Sequence, residues 1–387
     1  MLKVAILGST GSIGDSSIKV IEANKEKFSI SLLAAFSNSK KIFEQCKKLK
    51  PEYVYLKEAT ASEELKENLA TSGLNTSILD EKELFEIISL SEVDIIIAGI
   101  VGVAGLEHVY TAVEAGKKVL LANKESYVVA GELLNDLAEK NNSTILPIDS
   151  EHSAIHQCIA GKKNINQDIF KLLLTGSGGP FLKKDIKDFP YITPNEAIDH
   201  PIWSMGKKIS VDSATMMNKG LEIIEAKWLF DLNGDKIDVL VHPQGIVHSM
   251  VEFKDGSIVA QMSVPDMKIP IAYSLGFPFR IKSSSKRLDL KQLGELSFSS
   301  PDLNKFPCIR IARDALNLGG TAPALLNAAN EEAVSAFLMK KIGFVQISEI
   351  ISFVMDKNPI KIVKGLNCVM EADSIGRETA INRINNL

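Results

Sequence analysis

The run ILPIDSEHSAI sets Asp149, Ser150, Glu151 and His152 side by side directly after the apolar residues Ile145 to Ile148. If the strand stays extended to its end, residues i and i+2 project to one side, so the carboxylates of Asp149 and Glu151 face a single cation. Two acids held so close repel one another unless something neutralises them. The plainer alternative is the first turn of a helix, where acids suit the positive end of the dipole. A third carboxylate lies in SVDSATMMNKGLEIIEAKWLF. On a helix, Asn218, Lys219 and Glu222 share one face, with Ser213 near the helix start, where a phosphate is welcome. Taken alone, Lys219 and Glu222 read equally well as an ordinary surface pair worth a few tenths of a kcal/mol.

Three further segments carry chemistry. LLLTGSGGPF is a glycine-rich turn after a strand, in which Ser177 and neighbouring amides can form an anion nest. VLLANKESYVVAG places Asn123, Lys124 and Glu125 at the carboxyl edge of another strand, where α/β sheets bind ligands. KVAILGSTGSIGDSS reads as strand, tight turn and helix, with the amides of Gly11, Ser12 and Ile13 able to meet a pyrophosphate. Its spacing, Gly8-x-x-Gly11-x-x-Gly14, departs from the usual GxGxxG, so it also suits a turn without a ligand. At the end of the second strand, Ser37-Asn38-Ser39-Lys40-Lys41 contains no acid to hold ribose hydroxyls, which favours NADPH over NADH. Together these parts point to a nicotinamide, a divalent ion and a phosphorylated substrate in one cleft.

The elements that must position them alternate along the first 150 residues. Apolar runs at 3–8, 29–36, 53–56, 94–100, 118–122 and 144–149 are apolar at every position rather than every second one, as strands covered on both faces require. They predict an α/β fold whose N-terminal part is a Rossmann-like, doubly wound parallel sheet. Beyond it, strands at DVLVHP, IVHSMVEF and SIVAQM and a helix over 213–230 suggest an α+β catalytic domain with long, flexible loops. From Pro301 the pattern is helical, with Leu326, Ala329, Ala333 and Phe337 at helix spacing. The expected boundaries are 1–150 for the NADPH-binding domain, 151–285 for the catalytic domain, 286–300 for a linker and 301–387 for a C-terminal α-helical domain.

The 387 residues carry a net charge of −4, which gives no broad basic field for nucleic acid. The N-terminal apolar run breaks at Gly8, so neither a signal peptide nor a membrane span is expected, and a cytoplasmic enzyme is the default reading. Cys46, Cys158, Cys308 and Cys368 stand far apart, as reduced buried thiols do. Lys40, Lys41, Lys47 and Lys48 read as solvated helix faces.

GSTGSIG, LLANKES, PIDSEHSAI, LLTGSGGPF, HPIWSMGKKISVDSATMMNKGLEIIEA and VHPQGIVHSM resemble, nearly residue for residue, the 1-deoxy-D-xylulose 5-phosphate reductoisomerase family. The resemblance implies an NADPH-dependent enzyme of isoprenoid precursor biosynthesis that is a homodimer and binds Mg²⁺ or Mn²⁺ through Asp149, Glu151 and Glu222. Three carboxylates without a thiolate suit those hard cations independently. It also implies substrate contacts from Lys124, Ser150, Glu151, Ser177, His200, Ser213, Asn218, Lys219 and Glu222, with the phosphate among Ser177, Ser213, Asn218 and Lys219. Catalytic roles fall on Lys124, Asp149, Glu151, Glu222 and His200. Thr10, Gly11, Ser12, Ile13, Asn38, Asn123, Glu125 and Gly206 match the family's NADPH contacts. The turn AAFSNSKK departs from the family's Gly-Lys-Asn pattern, leaving Ser37, Asn38 and Lys40 as candidates for the 2′-phosphate.

AIDHPIWSMGKK reads as a lid in which Trp203 folds over the substrate and His200 reaches it; a Trp packed in the core is the competing reading. His248 is a possible substrate-side group, His152 and His242 give no zinc pattern, and His108 and His156 read as structural. Cleavage and recombination of the sugar skeleton and a one-step α-ketol shift both remain open. Two competing functions are a different NADP-dependent dehydrogenase of a phosphorylated or semialdehyde substrate, which needs no metal carboxylates, and a non-catalytic NADPH sensor.

Overall fold

The computed structural model describes residues 1–159, 167–203 and 205–387. The chain divides into two compact units, the first made of 1–126, 134–153 and 266–286, the second of 127–133, 154–265 and 287–387.

In the first unit, β1 (Leu2–Leu7), α1 (Ser12–Glu22), β2 (Phe28–Ala35), α2 (Ser39–Leu49), β3 (Tyr53–Leu56), α3 (Ala59–Ser72), β4 (Ser77–Ile78) and α4 (Glu81–Ser89) run outward across the sheet. The chain then returns for β5 (Ile95–Ala98), α5 (Leu106–Glu114), β6 (Lys118–Leu121), α6 (Lys124–Asn141), whose residues 127–133 fall in the second unit, β7 (Thr144–Pro147) and the start of α7 (Ser150–Ile159), whose residues from 154 onward do too. All seven strands pair in parallel in the order β4-β3-β2-β1-β5-β6-β7. The order reverses between β1 and β5, so the glycine turn after β1 lies at the switch point where such sheets bind ligands. The apolar runs form strands because both faces are covered: Val4, Ile6, Ile97 and Leu120 are fully buried. Each such Ile or Leu contributes on the order of 2 kcal/mol of burial.

Two features of this unit differ from the sequence reading. β4 was not expected, since a two-residue strand, Ser77–Ile78, that pairs on one side only carries no apolar run. Residues 266–286 belong to this unit: α11 (Lys268–Gly276) places Ile271, Ala272 and Leu275 in the same core as Val4, Ile18 and Leu120.

The second unit is built on β8 (Ile169–Gly176), β9 (Ile237–Val241), β10 (Val247–Phe253) and β11 (Ile258–Met262), in the order β11-β10-β8-β9. β9 is parallel to β8, and β10 is antiparallel to both β8 and β11. Its helices are α8 (Pro194–Ile198), α9 (Lys207–Ala214) and α10 (Met217–Phe230), followed by a helical C-terminal layer of α12 (Cys308–Leu318), α13 (Ala322–Leu338), α14 (Gln346–Lys357) and α15 (Leu366–Asn385). The single helix expected over 213–230 is two helices, because Met216 takes a left-handed conformation, φ 58°, between them. The four cysteines are free, and among the described residues no helix is long and apolar enough to cross a membrane.

Candidate active site

The glycine turn after β1 is fixed by backbone geometry. Gly8 has φ +89°, and a Cβ there would lie 2.5 Å from the Gly99 carbonyl oxygen, so no larger side chain fits. The amides of Gly8 and Ser9 donate to the Ala34 carbonyl of β2 at 2.8 and 2.9 Å, holding the turn against the sheet. Gly11 is the N-cap of α1 and offers no side-chain cap, which leaves the first-turn amides of Ser12 and Ile13 as donors for an anion. Thr10 is tied from outside the turn: Lys41 Nζ donates to its carbonyl at 2.8 Å and pairs with Asp15 at 2.6 Å. Gln45 Nε2 donates to the Ser9 carbonyl at 2.9 Å.

Lys41 is therefore a strut of the glycine turn, which corrects its reading as a solvated face. Its signal was a cation in the first turn of a helix, a position the dipole disfavours unless an acid lies near. Lys47 and Lys48 do keep to exposed pairs, with Glu44 and Glu22. Asn38 caps α2, accepting from the Lys41 amide at 3.0 Å, while Ser37, Asn38 and Lys40 are exposed together at the end of β2.

At the end of β6, Asn123 spends its side chain on structure. Its Oδ1 caps α6 by accepting from the Ser126 amide at 3.1 Å, and its Nδ2 donates to the Gly102 carbonyl at 2.9 Å and to the Ile100 carbonyl. Glu125 and Lys124 follow it in the first turn of α6, both buried. Lys124 Nζ pairs with Asp149 Oδ2.

Asp149 stands between β7 and α7, and its carbonyl accepts from the Ser153 amide at 2.8 Å. The chain has therefore already turned into helix at Glu151, so the extended i,i+2 argument is not what brings the two acids together. The helix start does so: one oxygen of Asp149 and one of Glu151 lie within 4.8 Å of each other. Ser150 Oγ donates to Glu151 Oε2, and His152, fully buried, puts Nδ1 4.0 Å from Asp149 Oδ2. Two carboxylates within reach of one cation, beside a Lys and with no thiolate, make a donor set suited to a hard divalent ion.

In the second unit, Glu222 stands on α10. Glu222 is fully buried and accepts from Asn218 Nδ2 and from Lys219 Nζ, each at 2.5 Å. The ordinary surface pair is thereby replaced by a buried three-residue cluster. Ser213 lies in the last turn of α9 rather than at a helix start, a consequence of the break at Met216. It still meets the glycine-rich turn after β8: Gly179, φ +68°, has no room for a Cβ, which would lie 2.7 Å from the Ser213 carbonyl oxygen.

Ser177, in that turn, accepts from the Gly179 amide at 3.2 Å and stands 3.1 Å from His200 Nε2. His200 Nδ1 accepts from the amides of Ile202 and Trp203 at 3.2 and 2.9 Å. The neutral ring therefore carries its proton on Nε2 and donates to Ser177 Oγ. Burial, aided by the charge of Lys219, pushes His200 down to about 4, so the ring is neutral at physiological pH. With both acceptor positions of Ser177 Oγ used, its own proton is directed elsewhere, as a phosphate site needs.

The segment from His200 to Trp203 curls around that imidazole, and Ser204 lies outside the described residues. Trp203 is half-buried, its ring 6.2 Å from that of His248, so it is not a core residue. His248 Nε2 lies 3.3 Å from the Ser263 carbonyl. His242 is structural: its Nε2 accepts from the amides of Ile246 and Val247 at 3.2 Å, its Nδ1 meets the Ser297 carbonyl at 2.9 Å, and it stacks on Phe298. His108 stacks on Phe85, away from the residues above. Gly206 is the exposed N-cap of α9.

Three family models cover most of the chain. The one described as 1-deoxy-D-xylulose 5-phosphate reductoisomerase matches residues 4–131. Two for the C-terminal domains of the same family match 145–230 and 262–379. A protein of that name from Nitrosomonas eutropha is 47% identical over 381 residues, covering 97% of this chain and 92% of its own. One from Psychromonas ingrahamii is 44% identical over 389 residues, covering 98% of each. Among solved structures, a DOX-P reductoisomerase in complex with NADPH, fosmidomycin and magnesium superposes with a TM-score of 0.95 at 44% identity, covering 100% of this chain and 98% of that one. The Zymomonas mobilis enzyme in complex with NADPH gives 0.92 at 39%, covering 100% of both.

Proposed function

The chain belongs to the 1-deoxy-D-xylulose 5-phosphate reductoisomerase family, and we propose that the residues described above carry that family's reaction here. The reaction is the NADPH- and divalent-metal-dependent isomerisation and reduction of 1-deoxy-D-xylulose 5-phosphate to 2-C-methyl-D-erythritol 4-phosphate, a step in non-mevalonate isoprenoid precursor biosynthesis.

On the family's pattern, Asp149, Glu151 and Glu222 would hold one Mg²⁺ or Mn²⁺. Bound there, the ion would supply Lewis acidity and a template for the substrate's carbonyl and neighbouring hydroxyl oxygens. Lys124 pairs with Asp149 and pins its carboxylate. Ser150 orients Glu151, and Asn218 orients Glu222.

Ser177, Ser213, Asn218 and Lys219 receive the substrate phosphate: one cation, one amide and two hydroxyls suit a dianion. His200, neutral with its Nε2 proton on Ser177 Oγ, orients that hydroxyl toward the same end of the substrate. Trp203 covers the substrate and excludes water. NADPH lies along Thr10, Gly11, Ser12 and Ile13, with its 2′-phosphate at Ser37, Asn38 and Lys40; Asn123, Glu125 and Gly206 border the nicotinamide end. Because the Asn123 side chain is engaged with Ser126 and Gly102, the contact from this residue is a backbone one.

The observation that supports the reading most directly is the paired carboxylates of Asp149 and Glu151 next to Lys124, an arrangement that a simple hydride-transfer enzyme does not require. We also propose a cytoplasmic homodimer, for which the edge strand β11 leaves Ile258 and Val259 exposed to a partner. The test is NADPH absorbance with 1-deoxy-D-xylulose 5-phosphate, with and without Mg²⁺ or Mn²⁺. Oxidation that stops on chelation and returns with metal is expected. Turnover unaffected by exhaustive chelation would refute the reading and favour an ordinary NADP-dependent dehydrogenase.

A further inference from the structure

The corner between α9 and α10 displays Ser213 before it and Asn218 and Lys219 after it. Thr215 Oγ1 donates back to α9, where the Val211 and Asp212 carbonyls lie at 3.1 and 3.2 Å, and accepts from the Met217 amide at 3.3 Å. The left-handed Met216 sits inside that turn. Such a corner has no glycine or proline to set its angle, so something outside it must.

A buried hydrogen bond from α13 of the C-terminal helical layer reaches it. Asp212, on α9, is 1% exposed; its Oδ2 pairs with Lys208 at 2.8 Å, and its Oδ1 accepts from Asn330 Nδ2 of α13 at 2.9 Å. Asn330 is fully buried, and its own Oδ1 meets no donor among the described residues. Next to it on α13, Glu331 accepts from Asn327 Nδ2 at 3.0 Å and Arg377 Nη2 at 2.6 Å. Arg377, on α15, also donates to Glu332 at 2.9 Å and Asp373 at 2.7 Å.

Buried polar networks seldom stabilise a fold beyond what apolar packing achieves; what they impose is one geometry. An apolar residue at 330 would remove an unsatisfied oxygen but would leave Asp212 Oδ1 buried without this donor. Asp212 directly precedes Ser213, so its anchorage to α13 sets where the corner stands.

We propose that Asn330, acting through Asp212, is a positioning residue for the phosphate end of the substrate, holding the α9 to α10 corner so that Ser213, Asn218 and Lys219 converge. This inference rests on the phosphate site assigned above. In the full-length enzyme, Asn330→Ala is expected to raise KM for 1-deoxy-D-xylulose 5-phosphate about tenfold, equivalent to about 1.4 kcal/mol, with kcat changed less than about twofold. The NADPH Kd, read by fluorescence without turnover, stays unchanged. Asp212→Ala shows the same split, and the double variant adds little to it. Lys208→Met, a change at the more exposed end of the network, raises KM by a smaller factor and serves if Asn330→Ala does not fold. A lowered Tm with KM unmoved in these variants, or fully additive effects of Asn330→Ala and Asp212→Ala, would overturn the inference while leaving the phosphate site standing. Absence of turnover by the wild-type protein would remove both.

Discussion

Replacing Glu222 by Gln separates a ligand from a scaffold residue. The wild-type carboxylate is fully buried and accepts from Lys219 and Asn218, each at 2.5 Å. Gln keeps the shape and one acceptor but removes the charge 2.5 Å from the Lys219 ammonium and sets a second NH₂ group against Asn218 Nδ2. Severing a buried pair outright costs about 3–5 kcal/mol. With one acceptor retained and Asn218 free to flip, about 2 kcal/mol is the expected loss. For a unit of this size that lowers Tm by about 4–8 °C. A protein with ordinary stability of about 5–15 kcal/mol remains almost wholly folded at 25 °C after such a loss. Turnover would then be nearly unchanged if Glu222 were only a brace. As a member of a three-carboxylate cation site, its loss should lower kcat/KM at least about a hundredfold, or about 2.7 kcal/mol of transition-state stabilisation. The assay pairs a melting curve with NADPH oxidation at saturating Mg²⁺. A variant with the expected Tm drop but turnover within threefold of wild type would refute the assignment.

Other perturbations test separate parts. Gly8→Ala forces a Cβ to 2.5 Å from the Gly99 carbonyl oxygen at φ +89°, so a stability loss of about 1–3 kcal/mol and weaker NADPH binding are expected; an unchanged Kd by NADPH fluorescence would contradict the turn's role. Lys41→Met removes the strut to Thr10 and Asp15, whose ion pair is about 40% exposed and worth little by itself, so NADPH affinity should fall only about three- to tenfold through the freed turn. Unaltered titration of NADPH into the variant would show that the strut is idle. His200 has a folded-state value of about 4, below the ~6.5 of an exposed ring, so between those pH values the unfolded chain binds the proton that the folded one does not. This residue's contribution to stability therefore grows from about pH 4 to pH 6.5, is complete above that, and is lost on acidification. His200→Gln should narrow the difference between urea midpoints at pH 4.5 and pH 7, and an identical difference would sink that assignment.

Much of the first unit could be read from the chain because its strands are buried on both faces, and a run such as Ile95–Ala98 announces this by being apolar throughout. Two-residue β4 could not be read, since an edge pairing of Ser77 and Ile78 leaves no periodic trace. Nor could the place of α11, whose Ile271 and Leu275 suit any apolar core; long-range packing decides which one receives them. The candidate carboxylates Asp149, Glu151 and Glu222 were marked by the motifs they stand in, PIDSEHSAI and MNKGLEIIEA, rather than by their types, since Lys219 and Glu222 alone read as a surface pair. Their local geometry was not legible, because the turn from β7 into α7 occurs before Glu151 and the break at Met216 carries neither glycine nor proline. The partners of Lys41 and Asn330 were likewise hidden, although Lys41 carried a hint as a cation in the first turn of a helix. Each acts through a partner distant in sequence, Thr10 or Asp212, and no local pattern records such a pairing.

Asp149, Glu151 and Glu222 are proposed to hold one divalent cation together. Calorimetric or EPR titration with Mn²⁺ alone, without substrate or turnover, reads it directly on the wild-type protein and on Asp149→Asn, Glu151→Gln and Glu222→Gln. One site per chain, weakened at least about tenfold in every variant, is the predicted result, a change of about 1.4 kcal/mol or more. Wild-type affinity retained by Glu222→Gln, or no saturable Mn²⁺ binding by the wild-type chain, would contradict it.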